Sequence, residues 1–388
     1  MEKYFGVSYP TIKNRLNQIG GQLSSWKSNR GQGPTRRSRR KPAKPAGPCY
    51  HPPNGGNAMQ VRTEWTAIIA ATCLAGWGAV TVAGQGQGHK GPRTPWGHPD
   101  LEGIWNNSTI TPLERPKQYA GREFLTEEEA KKLDAAADVR YDQRLDDPVE
   151  DVDAAYNQFW WERGKTIGSR RTSLIVDPPD GRLPALTPDG QKRAAAIAAR
   201  LRGVTEGPED RNLAERCITR GAPKLPGGYN NNFQIVQTPT YVAILQEMIH
   251  ETRIIPLDGR PHLPAGLGQW LGDSRGHWEG DTLVVETTNY HPLSAFNSYY
   301  CCRGAAEHLK IVERFRRIDA DTLEHRFTVD DPATFTRPFT IEVPMSRVEG
   351  PIFEYACHEG NRGLEGILRG ARVEEQKARK AAESGEHR

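Results

Sequence analysis

The run Gln246-Glu247-Met248-Ile249-His250-Glu251-Thr252-Arg253, followed by Asp258-Gly259-Arg260-Pro261-His262, is the most conspicuous chemical constellation in the chain. On a regular strand alternate residues share a face. Glu247, Glu251 and Arg253 would then point one way, and Gln246, His250 and Thr252 the other. A bulge near Ile249 would re-aim these side chains. A cavity carrying glutamate, histidine and arginine can perform general acid–base work. Histidine titrates near neutrality, burial raises glutamate toward it, and arginine holds an oxyanion. The alternative is a buried Glu–Arg pair with a solvated histidine outside.

A second cluster is Trp270-Leu271-Gly272-Asp273-Ser274-Arg275-Gly276-His277-Trp278. Asp273 and Arg275 suit a loop salt bridge with aromatic packing, or a cavity rim where Asp273 or His277 meets a ligand. Glu286, in the apolar run Val284-Val285-Glu286-Thr287, faces either solvent or a polar cavity. In Tyr355-Ala356-Cys357-His358-Glu359 an acid–base pair follows an expected strand, where functional groups often sit. The candidate catalytic set is therefore Glu247, His250, Arg253, Glu286, His358 and Glu359. The candidate ligand-binding set is Tyr229, Asn231, His262, Trp270, Asp273, Arg275 and Tyr355. His250, His262, His277 and His358 lack a recognised metal-ligand spacing, so neither metal nor cofactor is expected. A nucleophile elbow, a P-loop and a dinucleotide fingerprint are all missing.

The elements that must position these groups are mostly strands. Period-2 alternation with turn signals predicts strands over 233–237, 241–248, 252–257, 276–278, 282–288, 309–318, 322–329, 334–343 and 352–356, with a short one in 171–177. Gly103-Ile104-Trp105 has the Gly-x-Trp spacing of the first strand of lipocalin-like barrels, where tryptophan closes one end. Thr126-Glu127-Glu128-Glu129 is a capping box opening a helix to about Asp142, and Thr187-Pro188 caps a second helix to about Arg202. Residues 151–170 suit a helix less clearly, and a polar helix over 364–384 ends the chain. The expected fold is mainly β: an antiparallel meander closing into a lipocalin-like barrel or a sandwich, with peripheral helices.

The N-terminal part differs in kind. Residues 1–58 hold eleven Lys/Arg and one acid, Glu2, whereas the whole chain carries only +4. Residues 85–388 are therefore acidic, which gives no footing for nucleic-acid binding there. From Met59, a basic start at Arg62 leads into an apolar run over 65–82, and Thr81-Val82-Ala83-Gly84 offers small residues for signal-peptide cleavage. Residues 59–84 read as a signal peptide, 85–98 as a linker, 99–372 as the β-rich domain and 373–388 as a polar tail. Export leaves Cys217, Cys301, Cys302 and Cys357, which permit three pairings. Adjacent Cys301 and Cys302 do not readily bridge each other. Cys217–Cys357 is the preferred bridge, the other two staying free or joining another chain.

Two resemblances add to this. In residues 4–20, Gly6 suits a turn, Ser8 an N-cap, and Ile12, Leu16 and Ile19 an apolar stripe. This segment resembles the end of a helix-turn-helix regulator, followed by a basic, disordered extension. Residues 171–181, 229–235, 246–262, 270–289 and 355–361 resemble a large family of exported bacterial β-rich proteins. That likeness spans about residues 100–372, with Tyr299-Tyr300-Cys301-Cys302 departing from it, and implies domain limits and export but no activity. The expectation is a periplasmic or secreted barrel binding a small-molecule ligand, with lyase, isomerase or hydrolase chemistry as an extension. It meets no nucleic acid in its mature form, and the membrane only through the signal segment. A non-catalytic interaction module and a DNA-associated regulator acting through residues 1–45 are the alternatives.

Overall fold

Alternating apolar residues and tight turns organise most of residues 232–348 into strands that pair in one antiparallel sheet. The computed structural model describes residues 91–142, 162, 164–166, 169–296 and 307–384. The expected helix-turn-helix-like fragment, basic extension and signal segment lie outside the described residues, as do most of residues 151–170 and Cys301 and Cys302.

The ten strands are β1 (Gly103–Asn106), β2 (Ile175–Asp177), β3 (Asn232–Gln237), β4 (Tyr241–Gln246), β5 (Thr252–Pro256), β6 (Asp273–Glu279), β7 (Thr282–Thr288), β8 (Lys310–Arg317), β9 (Thr322–Asp330) and β10 (Phe339–Val348). Their order is β5-β4-β3-β1-β10-β9-β8-β7-β6, with β2 pairing β10 beside this path. β1 thus joins two meanders, β3–β5 and β6–β10. The helices are α1 (Glu127–Asp142), α2 (Pro188–Arg202) and α3 (Arg362–Ser384). Thr126 and Glu129 form the expected capping box of α1, and the Thr187 side chain accepts from Gly190 N–H to cap α2. Among the described residues no helix is long and apolar enough to cross a membrane.

Period-2 alternation turns Leu323, His325, Phe327 and Val329 of β9 inward with Ile311, Glu313, Phe315 and Arg317 of β8. The apolar members fall into two buried clusters. One gathers Ile311, Phe327, Val329, Phe339 and Ile341 with Leu174 and Ile175. The other gathers Trp105, Ile235, Ile244, Ile255, Leu283, Phe315, Leu323 and Met345, drawn from strands along the whole sheet. Such mixing requires the sheet to curl over its own inner face. Trp105 is fully buried and donates Nε1–H to Leu101 O at 2.9 Å. The Arg317 and Arg347 guanidiniums lie over its ring at 5.5 and 5.8 Å.

Curling brings the two sheet edges together without a connecting ladder. A β-carbon on Gly276 of β6 would lie 2.7 Å from Leu257 Cδ2 and 2.9 Å from Ile255 Cγ2, so the absence of a side chain here leaves room for the side chains of β5 and the residue after it. The sheet is not closed into a barrel along this seam.

Three expectations about elements need correction. Residues 352–356 form no strand: Phe353 is largely exposed, and its N–H serves Glu247 instead of a ladder. β10 starts five residues later than the alternation suggests, because residues 331–335 turn back on Asp331. β4 stops at Gln246, where residues 247–251 make a turn with Ile249 and His250 at φ 60° and 46°.

Replacing Trp105 with alanine empties a site filled from eight strands, so Trp105→Ala is expected to cost about 3–5 kcal/mol in denaturant unfolding.

Candidate functional site

Between the two apolar clusters lies a polar layer. Arg253 of β5 reaches across the interior to Glu313 of β8, its two Nη groups donating to the carboxylate at 2.5 and 2.8 Å. His325 of β9, stacked on Phe315 at 4.3 Å, joins Glu313 through Nε2 at 3.0 Å. Glu313 is wholly buried, and burial alone would raise its pKa. Arg253 and His325 overcome that and hold it at about 2. The interior beside this layer keeps a void of about 10 Å³, the space of roughly one water molecule.

Glu251 stands where the layer meets the surface. Its Oε2 accepts from Gln246 Nε2 at 2.7 Å and from Arg220 N–H at 3.0 Å. Burial raises its pKa to about 7, against the lowering effects of Thr219, Arg220 N–H, Gln246 and Arg253. A carboxyl poised there can both donate and accept a proton near neutrality. Glu251 and Arg253 also line an open cleft of about 620 Å³ at the seam, whose other wall carries Trp270, Asp273, Ser274 and His291. Trp270 and His291 pack with their ring centroids 4.1 Å apart and their planes tilted by 32°.

A second buried group, Lys224, reaches the interior void from the far side. Its Nζ donates to Asn231 Oδ1 at 2.8 Å, and burial lowers its pKa to about 7 despite Glu162. Asn231 is itself fully engaged: it also accepts from Gly227 N–H and donates to Gly227 O, each at 2.8 Å.

The turn at 247–251 changes the expected facing. Gln246, Glu251 and Arg253 share the inner side, whereas Glu247 is buried elsewhere, accepting from Phe353 N–H at 2.9 Å and Asn232 N–H at 3.3 Å. His250 is exposed, with Nδ1 3.1 Å from Tyr355 O. Of the expected catalytic residues only Arg253 lines the interior void or the cleft. Glu286 sits on the outer face, ion-paired with Lys310 and 3.5 Å from His262. His358 and Glu359 are exposed in a turn, not at a strand end.

Among the expected ligand-binding residues, Trp270 and Asp273 line the cleft. His262 and Arg275 stand behind Asp273, contributing Nδ1 at 2.9 Å and Nη1 at 2.6 Å. Burial would raise the Asp273 carboxyl, yet Leu263 N–H, His262 and Arg275 hold it below its ordinary range. Tyr229 is half-buried in the loop before β3, and Tyr355, whose carbonyl lies 3.1 Å from His250 Nδ1, lines neither the void nor the cleft.

Glu313, His325 and Lys224 were not singled out from the sequence. The first two carried a signal, because each is a polar residue at an inward position between apolar ones: Ile311-x-Glu313-x-Phe315 and Leu323-x-His325-x-Phe327. Lys224, in Pro223-Lys224-Leu225-Pro226, had none. Among the described residues no group of three or more His, Cys, Asp or Glu side chains is placed to hold a metal ion. No protein-family model matches this chain, and no curated protein matches it.

Two outcomes follow from these electrostatics. Glu313→Gln strips Arg253 of its buried carboxylate and is expected to cost about 3–5 kcal/mol in urea unfolding. Glu251 has a folded pKa of about 7 against an ordinary 4.5, so its stabilising contribution is complete below 4.5 and lost as pH rises through 7. Wild type minus Glu251→Gln stability should therefore fall between those values, with a slope approaching about 1.4 kcal/mol per pH unit.

Proposed function

We propose that this chain is an exported bacterial protein, periplasmic or secreted, that binds a small ring-bearing organic molecule in the seam cleft and moves a proton on it through Glu251. The observation that carries this reading is the pairing of opposite walls: a carboxyl balanced near neutrality faces a cleft whose far side offers the Trp270–His291 ring pair. A flat ring stacks on Trp270, and its hydroxyl or acidic C–H points to Glu251. Asp273, held ionised by His262 and Arg275, accepts from a hydroxyl on the same ring. The chemistry is lyase, isomerase or hydrolase in type, and these groups supply it without a cofactor.

Export is supported by the signal-like residues 59–84 and by a disulfide between Cys217 and Cys357, a bond suited to an oxidising compartment. A lipocalin-like barrel, left open at one seam, is supported by the Trp105 plug under Arg317 and Arg347 and by the close passage of β5 and β6 at Gly276.

A non-catalytic binding module is the second reading. It is favoured by the water-sized interior void and by the commitment of Glu286 to a surface ion pair.

Thermal-shift screening of phenolics, sugars and acyl esters tests both. A ligand of this cleft should bind about tenfold more weakly to Trp270→Ala. Its turnover should fall about 100-fold or more in Glu251→Gln. A ligand bound equally by wild type and Trp270→Ala would overturn the cleft reading. One bound but never converted by wild type would leave the binding module.

A further inference from the structure

Two segments remote in sequence meet on the turn that carries Glu251, and one covalent bond joins them. Cys217 and Cys357 form a disulfide across 140 residues, with Cα atoms 5.7 Å apart. On the Cys217 side, Arg220 N–H and the Thr219 side chain hold the Glu251 carboxylate, and Thr219 Oγ1 accepts from Gly221 N–H at 2.9 Å to shape that loop. On the Cys357 side, Phe353 N–H donates to Glu247 at 2.9 Å, and Tyr355 O meets His250 Nδ1 at 3.1 Å. Asn361 adds a strap, donating to Glu215 O at 2.8 Å while its Oδ1 accepts from Leu364 N–H at the start of α3.

The turn between these holds needs them. Ile249 and His250 both have left-handed backbones, a costly choice for a β-branched residue that persists only where neighbours over-determine it. Within the turn His250 N–H donates to Glu247 O at 3.0 Å, Gln246 N–H to Glu251 O and Glu247 N–H to Asn232 O, both at 2.9 Å, pin its ends, and the Met248 and Ile249 side chains are buried. The two bridged segments add the contacts to Glu251, Glu247 and His250 named above.

We propose that the Cys217–Cys357 disulfide is the positioning element of Glu251: oxidation clamps residues 217–221 and 353–357 onto the 247–251 turn and assembles the site, and reduction releases it. This rests on the reading of Glu251 as the proton-transfer group. A dithiol reductant would act as follows. Its thiolate attacks the half-buried Cys357 sulfur, the S–S bond breaks, and Cys217 leaves as a thiolate and takes a proton. The second thiol of the reagent then displaces Cys357 from the mixed disulfide. The reagent ends as a cyclic disulfide, and two electrons and two protons have passed to the protein. A chain retained in a reducing compartment would thus fold its sheet without a working site.

Hydrogen exchange of the full chain, read by mass spectrometry, tests this without any ligand. It compares oxidised protein, protein reduced with dithiothreitol and alkylated, and Cys217→Ser/Cys357→Ser. Exchange should rise about tenfold or more in residues 218–222, 246–252 and 353–356 and stay unchanged in β8 and β9. Unchanged rates in the three segments would overturn the proposal, as would equal acceleration throughout the sheet. Should the serine variant not fold, the reduced wild type decides, since it starts from folded protein; its global unfolding would make the bridge a general staple and sink the idea. Local loosening together with no ligand in the cleft would leave the clamp standing and defeat only the ligand reading.

Discussion

The ion pair of Arg253 with Glu313 is the constraint from which the rest of the architecture follows. β5 and β8 are far apart in the order of the sheet, yet the pair joins them directly through the interior. Only a sheet curled back on itself brings these side chains within reach. A buried pair of this kind adds little net stability, because desolvation cancels most of the attraction. What it excludes is any arrangement that buries Arg253 or Glu313 without the other. His325 and its stacking on Phe315 complete the carboxylate's partners, so the layer between the two apolar clusters is satisfied and not merely tolerated.

That layer also fixes where the polar groups meet open space. Among the described residues the void beside this layer holds about one water, and Glu251 and Arg253 meet a larger space at the seam. Glu251 sits at that outlet, desolvated enough to keep its proton near neutrality and exposed enough to share it. The neighbouring Arg253 is already bound to Glu313, which moderates the field at Glu251 and leaves burial as the dominant influence.

Much of this was legible in the residues, and the remainder fails for physical reasons. Local signals read well: the Thr126 and Thr187 caps and the strands between 232 and 330 rest on short-range chemistry, whereas the Cys217–Cys357 bridge, one of three open pairings, was a preference that spacing alone does not fix. The residues suggested either a cavity of glutamate, histidine and arginine or a buried Glu–Arg pair with a solvated histidine; His250 is exposed, and the structure buries Arg253 with a different glutamate and histidine. It supplies the glutamate and histidine from β8 and β9, since a pairing across the interior leaves no trace in local spacing. The alternation breaks near Ile249 as expected, but the two left-handed residues Ile249 and His250 part Glu247 from Glu251 and Arg253, and neither residue type announces such a backbone. The false strand at 352–356 had apolar alternation without a partner to pair with, because β10 already lies between β1 and β9.

The glycine at position 276 carries one more implication. Sheet margins ordinarily invite strands from other molecules, and proteins blunt them with charge, proline or bulges. Here the two margins lie flank to flank, and Gly276 leaves room there for the Leu257 and Ile255 side chains. Each strand thereby shields the other's edge, which narrows the room left for a foreign polypeptide to pair there.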